Sequence, residues 1–179
     1  MSQIAANYAQ ALYSLAQEEA QTKQILDEMA ALDSAFGQEP GFLRMLSAPN
    51  ISKEQRCAIL DDSFRGKIAP SLLNFLKLLT EKRYIRQFSD CCKAYRALYY
   101  EENGIMPVNV VSAVELTQSQ REKLQKKLET LTGKTVELTN RVDPEVLGGI
   151  RLDYDGKRVD GTVKNRLDSV RELLKNTVI

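Results

Sequence analysis

The chain has 179 residues, 43% of them hydrophobic and 27% charged, with 9 Gly and 5 Pro. This balance excludes a disordered chain and leaves room for one medium domain or two small ones. The 25 Lys and Arg against 24 Asp and Glu leave a net charge of +1, too little for a global field that would hold the chain on nucleic acid or anionic lipid.

The first hundred residues read as helix, because apolar residues recur three and four apart and the breaks fall at Gly and Pro. Ile4, Tyr8, Leu12 and Leu15 form one stripe, with Ala5, Ala9, Ala16 and Ala20 beside it. A second helix carries Ile25, Met29, Leu32 and Phe36, and a short third carries Phe42, Leu43 and Leu46. Ser52 and Gln55 have capping-box spacing, opening a helix with Cys57, Leu60 and Phe64 inward. The run Leu72, Leu73, Phe75, Leu76, Leu78, Leu79 after Pro70 is apolar on most sides, and a last helix over 84–103 stops at Gly104.

At Ile105-Met106-Pro107 the apolar period changes from about 3.6 to 2, which marks a domain boundary. Val108, Val110 and Val114 alternate as a strand. Thr117 with Gln120 caps a helix whose inner face is Leu124, Leu128 and Leu131. Residues 135–142 alternate again, Ile150, Leu152 and Tyr154 make a further strand, and Asp155-Gly156 is a hairpin turn into a return strand over 157–160. A final helix from Thr162 sets Val163, Leu167, Val170 and Leu174 on one face. The expected fold is α+β: an all-α six-helix bundle over residues 1–104, then a small α/β domain over 105–179.

Chemistry-bearing constellations are few. Histidine is absent, which removes the commonest general base near neutral pH and a common zinc ligand. Cys57, Cys91 and Cys92 lack CxxC spacing and read as free thiols of a reducing cytosol; a Cys nucleophile would have no His to activate it. Gly148-Gly149 lacks the strand, glycine loop and helix order of a phosphate site and reads as a place of close backbone approach. Asp153, Asp155 and Asp160 lack the calcium-loop pattern. Lys123, Lys126, Lys127, Lys157, Arg158, Lys164, Arg166, Arg171 and Lys175 make the second half basic, but acidic residues are interspersed and no aromatics interleave. An RNA- or ribosome-associated cytosolic module is therefore the alternative function. No stretch is apolar and long enough to span a membrane, and the N-terminus has no targeting character. Ala9, Tyr13, Ala16, Leu73 and Leu78 exceed one apolar stripe on the first and fifth helices, which suits either a groove for a partner's amphipathic helix or full enclosure in the bundle.

The opening Tyr8-Ala9-Gln10-Ala11-Leu12-Tyr13-Ser14-Leu15-Ala16 resembles the YAxAL…A start of the delta-subunit family of bacterial F-type ATP synthases, the family of the mitochondrial oligomycin-sensitivity-conferring subunit. Val136-x-Leu138-x-x-x-Val142-Asp143-x-x-Val146-x-Gly148-Gly149-Ile150-x-Leu152 matches that family's signature region, and Asp160-Gly161-Thr162-Val163 with Arg166-Leu167 is similar to its DGS and RL element. The likeness covers the whole chain, with departures at Asp153, Asp155 and Glu81-Lys82-Arg83-Tyr84. It implies a noncatalytic stator subunit of a proton-translocating complex, peripheral on the cytoplasmic side of the cell membrane, with no cofactor, metal, nucleic acid or membrane insertion of its own. The helical domain would hold the alpha subunit's N-terminal helices through Tyr8, Ala9, Leu12, Ala16, Phe75 and Leu78. The second domain would hold the C-terminal region of the stalk b subunit through Gly148, Gly149, Lys164, Arg166 and Leu173.

Overall fold

Ser52 opens its helix as the spacing with Gln55 predicts: the Gln55 N–H donates to Ser52 Oγ at 3.2 Å, and the Ser52 N–H donates to Gln55 Oε1 at 3.0 Å. Thr117 and Gln120 repeat the reciprocal pair at 3.3 and 2.9 Å. In the computed structural model, which describes residues 3–48, 50–165 and 167, these caps fall within an α+β architecture. The chain forms α1 (Gln3–Glu18), α2 (Thr22–Gln38), α3 (Pro40–Leu46), α4 (Lys53–Phe64), α5 (Pro70–Glu81) and, after a 3-10 turn at Ile85–Gln87, α6 (Phe88–Glu102). It continues with β1 (Ile105–Ser112), α7 (Gln118–Thr132), β2 (Thr135–Val142), a 3-10 turn at Pro144–Val146, β3 (Ile150–Tyr154) and β4 (Lys157–Asp160). Two compact units result, one up to Tyr99 and one from Tyr100 onward. The division falls within α6, ahead of the change of period at Ile105, and Tyr99 is a half-buried residue packed on the helical core.

In the first unit α5 buries Ser71, Leu72, Leu73, Phe75, Leu76, Leu79 and Thr80, so enclosure accounts for most of its apolar excess. Its exposed strip is Asn74, Leu78 and Glu81, spaced four and three apart. α1 turns Ala5, Ala9, Leu12, Tyr13 and Ala16 inward. The expected stripe of Ile4, Tyr8, Leu12 and Leu15 is therefore split: Leu12 is core, Tyr8 is half-buried, and Ile4 and Leu15 are 36% and 40% exposed. Alanine at 5, 9 and 16 lets the α1 backbone come close to its neighbours, which favours the small-residue face for the inside over the larger one. Tyr95, fully buried, donates its hydroxyl to the Thr22 carbonyl at 3.0 Å and meets the Tyr13 ring edge-on at 5.1 Å. On α4 the buried residues are Arg56 and Leu60, whereas Cys57 and Phe64 are half-buried. Arg56 Nη1 donates to the carbonyl of Leu46, the last residue of α3, where a helix end favours a cation.

The second unit is a four-stranded sheet in the order β2-β1-β3-β4. β1 and β2 are parallel, joined through α7, while β1–β3 and β3–β4 are antiparallel. Asp155 and Gly156 both take positive φ, 48° and 70°, as the predicted two-residue hairpin requires. Met106, Val108 and Val110 of β1 pack with Val136 of β2 and Leu128 of α7. Val114 lies beyond β1 and is exposed, and Leu131, in the last turn of α7, is exposed as well, so neither joins the core as expected. Residues 163–165 and 167 are helical, and Thr162 Oγ1 accepts the Asn165 N–H at 3.2 Å as a cap. Val163 and Leu167, expected against the sheet, are exposed. Val170 and Leu174 lie outside the described residues.

Candidate functional site

Each unit carries its own candidate surface. On the first, α1 and α5 bring the expected groove residues together but divide them between core and surface. Ala9, Leu12, Ala16 and Phe75 are buried in the unit itself, so they are not open on its surface. Tyr8 joins the two helices: its ring lies 6.5 Å from Phe75 and 6.0 Å from Tyr84, centroid to centroid. Leu78 remains 40% exposed. Ile4 and Leu15, members of the predicted stripe, form an outward apolar set with Tyr8 and Ala11 at positions 4, 8, 11 and 15. The signal that would have found them is the alanine pattern, since small residues at 5, 9 and 16 compete for the inside.

On the second unit, Gly148 and Gly149 hold the chain's own backbone. The Val163 N–H donates to the Gly148 carbonyl at 3.0 Å, and the Gly161 N–H donates to the Ile150 carbonyl at 3.0 Å. Gly149 has φ +77°, and a Cβ there would lie 2.5 Å from the Gly161 carbonyl oxygen, so only glycine fits this approach. A Cβ on Gly148 would meet Val163 Cγ2 at 3.4 Å, an ordinary contact. Lys164 is exposed, with Nζ 3.4 Å from Glu145 Oε2. Arg166 and Leu173 lie outside the described residues. Sequence reasoning missed Leu147, which is 68% exposed and held at φ +62°, unusual for a bulky side chain. Val163, which packs at Gly148, and Leu167 are exposed as well.

The two buried thiols, Cys91 and Cys92, are poorly suited to nucleophilic chemistry. Burial pushes Cys91 up to about 11, and burial together with Asp33 pushes Cys92 higher still, so both are protonated at neutral pH. Among the described residues no group of three or more His, Cys, Asp or Glu could hold a metal ion. A depression of 540 Å³ between Pro107, Asn109, Asp153 and the β3–β4 turn is open and lined mainly by polar groups. Asp153 accepts Arg158 Nε at 2.7 Å and Arg151 Nε at 3.3 Å, and the hydrogen bond from Arg158 does most to hold its carboxyl below the usual 3.8. Asp160 is lowered mainly by hydrogen bonds from Thr162.

Both carboxyls are thus depressed in the folded state, so their stabilisation is complete above the unfolded pKa of about 3.9 and is lost as pH falls through the lower folded values. The stability of the second unit should be insensitive to these groups from neutrality to about pH 5 and decline in acid below about pH 4. Carboxyl carbon shifts followed by NMR should give midpoints below 3.8 for both residues; midpoints at or above it would contradict the pairing seen for Asp153.

Residues 4–174 match the ATP synthase delta (OSCP) subunit family. The chain belongs to this family. Relatives named ATP synthase subunit delta include one from Alkaliphilus oremlandii, 30% identical over 176 residues that cover 98% of each chain. Another, from Lactobacillus gasseri, is 33% identical over 173 residues, covering 96% of this chain and 94% of the relative. A chain in the cryo-EM structure of the Toxoplasma gondii mitochondrial ATP synthase hexamer shares the fold at TM-score 0.75 and 19% identity, covering 97% of this chain and 98% of that one. The delta family resemblance drawn from the first helix and the glycine-pair region thus extends over nearly the whole chain, spanning both candidate surfaces.

Proposed function

We propose that this delta-family chain is a noncatalytic stator of an F-type ATP synthase, tying the alpha subunit to the b subunit of the peripheral stalk on the cytoplasmic side of the membrane. The family match over residues 4–174 carries the reading. The helical unit, a six-helix bundle, would receive an amphipathic N-terminal helix of the alpha subunit on Ile4, Tyr8, Leu15 and Leu78, with Ala9, Leu12, Ala16 and Phe75 as the floor's support. The second unit would receive the C-terminal region of b near Leu147, Gly148, Gly149, Val163, Lys164 and Leu167, and Arg166 and Leu173 belong to the same proposed contact. Among the described residues no helix is long and apolar enough to cross a membrane, so attachment would come through these partners.

Torque on a stator is resisted by tight binding to stiff elements, and exposed ion pairs contribute only about 0 to 1 kcal/mol each, so apolar contact should dominate both interfaces. Leu167→Asp should weaken binding of the b subunit's cytoplasmic C-terminal segment by about tenfold or more, with little dependence on salt, because an exposed leucine would lose about 1.5 to 3 kcal/mol of burial. Isothermal calorimetry at low and high salt tests this, and unchanged affinity would remove Leu167 from the contact. The RNA-binding alternative gains no support. Of the basic residues named for it, Arg158 pairs with Asp153 at 2.7 Å and Lys164 with Glu145 at 3.4 Å, so acidic side chains interrupt the set.

A further inference from the structure

We propose that Lys82 and Arg83 form a cationic rim at the end of the α1–α5 docking face and select a partner helix that presents an acidic side chain there. The inference rests on the alpha-helix docking just proposed and adds to it the chemistry of the partner's matching end.

The docking face carries little free charge. From Gln3 to Gln17 α1 has no charged residue. On α5, Lys77 is engaged by Asp61 at 2.7 Å, and Glu81, the one acidic residue of the exposed strip, is engaged by Lys53 at 3.1 Å. Lys82 follows Leu78 by one helical turn, and its N–H donates to the Leu78 carbonyl at 3.0 Å, so the two share a face. Arg83 ends the helix. Its N–H donates to the Thr80 carbonyl at 3.2 Å, and the next N–H, that of Tyr84, reaches back to the Leu79 carbonyl at 2.7 Å. Tyr84 is the residue whose ring abuts Tyr8 on the docking face, which places Arg83 at its margin.

Two features make this margin unusual. Lys82 and Arg83 are both exposed, and neither is in an ion pair among the described residues. Arg83 also holds φ +62°, the left-handed conformation that closes a helix and that glycine adopts without steric penalty. An exposed arginine in that position gains no burial to offset its backbone strain, so its charge is the property that the fold leaves available. On an apolar face whose one acidic residue is already paired, two adjacent cations fix the register of an incoming helix by its carboxylates and speed its encounter, while apolar contact supplies most of the affinity.

The test uses the full-length chain and a synthetic peptide of the N-terminal segment of its own alpha subunit, with affinity measured at low and high salt. Arg83→Gly removes the charge and relieves the strained φ, so its melting temperature should be no lower than that of the unaltered chain. At low salt it should bind the peptide about fivefold more weakly, and combining it with Lys82→Gln should widen the gap. The gap should close at high salt, and also at low salt with a peptide whose Asp and Glu are replaced by Asn and Gln. If Arg83→Gly binds as tightly as the unaltered chain at low salt while Leu78→Asp binds poorly, the rim is refuted and the docking face stands. If both variants bind normally, the docking face fails and the rim fails with it. A loss that persists with the neutral peptide also refutes the rim, since it would not come from charge.

Discussion

Gly149→Ala should destabilise the second unit by about 2 to 5 kcal/mol, combining about 1 to 2 kcal/mol for a side chain at positive φ with about 1 to 3 kcal/mol for overpacking. The substituted Cβ would lie 2.5 Å from the Gly161 carbonyl oxygen and 3.1 Å from Thr162 Cα, and these are backbone atoms that no rotamer change can move aside. Either residue 149 leaves its conformation or the 161–163 segment leaves the mouth of β3, and the second outcome also breaks the Val163–Gly148 and Gly161–Ile150 hydrogen bonds. Gly156→Ala is the control: its φ is +70°, yet nothing lies within 4 Å of the added Cβ, so it should show the backbone cost alone. Urea unfolding of both variants separates the two terms. Equal losses would mean that the close approach at Gly149 contributes nothing. If the segment after Gly161 helps to grip the stalk, Gly149→Ala should weaken b binding as well, although residue 149 need not touch the partner.

Leu78→Asp should weaken binding of the alpha-subunit peptide by at least about tenfold and leave folding intact. A leucine buried on docking contributes about 1.5 to 3 kcal/mol, and a carboxylate in its place would have to be desolvated, a cost that an exposed pair with Lys82 one turn away, at about 0 to 1 kcal/mol, would not offset. Leu12→Asp makes the contrast. Leu12 is only 3% exposed, so the charge would enter the core of the helical unit and cost the fold itself. Circular dichroism with peptide titration should therefore show Leu78→Asp folded and weakly binding, and Leu12→Asp poorly folded. A folded Leu78→Asp variant with unaltered affinity would take Leu78 out of the docking face. A well-folded Leu12→Asp variant would show that the burial pattern of α1 is wrong.

What could be read along the chain is what neighbouring residues decide among themselves. The caps at Ser52 and Thr117 are closed by partners three residues away, and the Asp155-Gly156 turn needs only two residues that tolerate positive φ. The change of period at Ile105 shows in the sequence because alternation is a property of each strand alone. The family was legible for a related reason: the glycine-pair region is a run of fixed spacings, and nearly the whole chain matches the same family. Burial is settled otherwise, by segments far apart in sequence. Both Ala5-Ala9-Ala16 and Ile4-Tyr8-Leu15 have helical spacing, and only packing of the helical unit decides that the alanine face goes in and the larger face remains outside. The order β2-β1-β3-β4 likewise depends on pairings between strands, which no single strand encodes. Gly149 meets Gly161 twelve residues on, and the left-handed backbone at Leu147 and Arg83 goes against the local preference of those residues. Such conformations exist because hydrogen bonds and packing from the surrounding structure outweigh a local cost of about 1 to 3 kcal/mol, and that balance is struck only when the chain is folded.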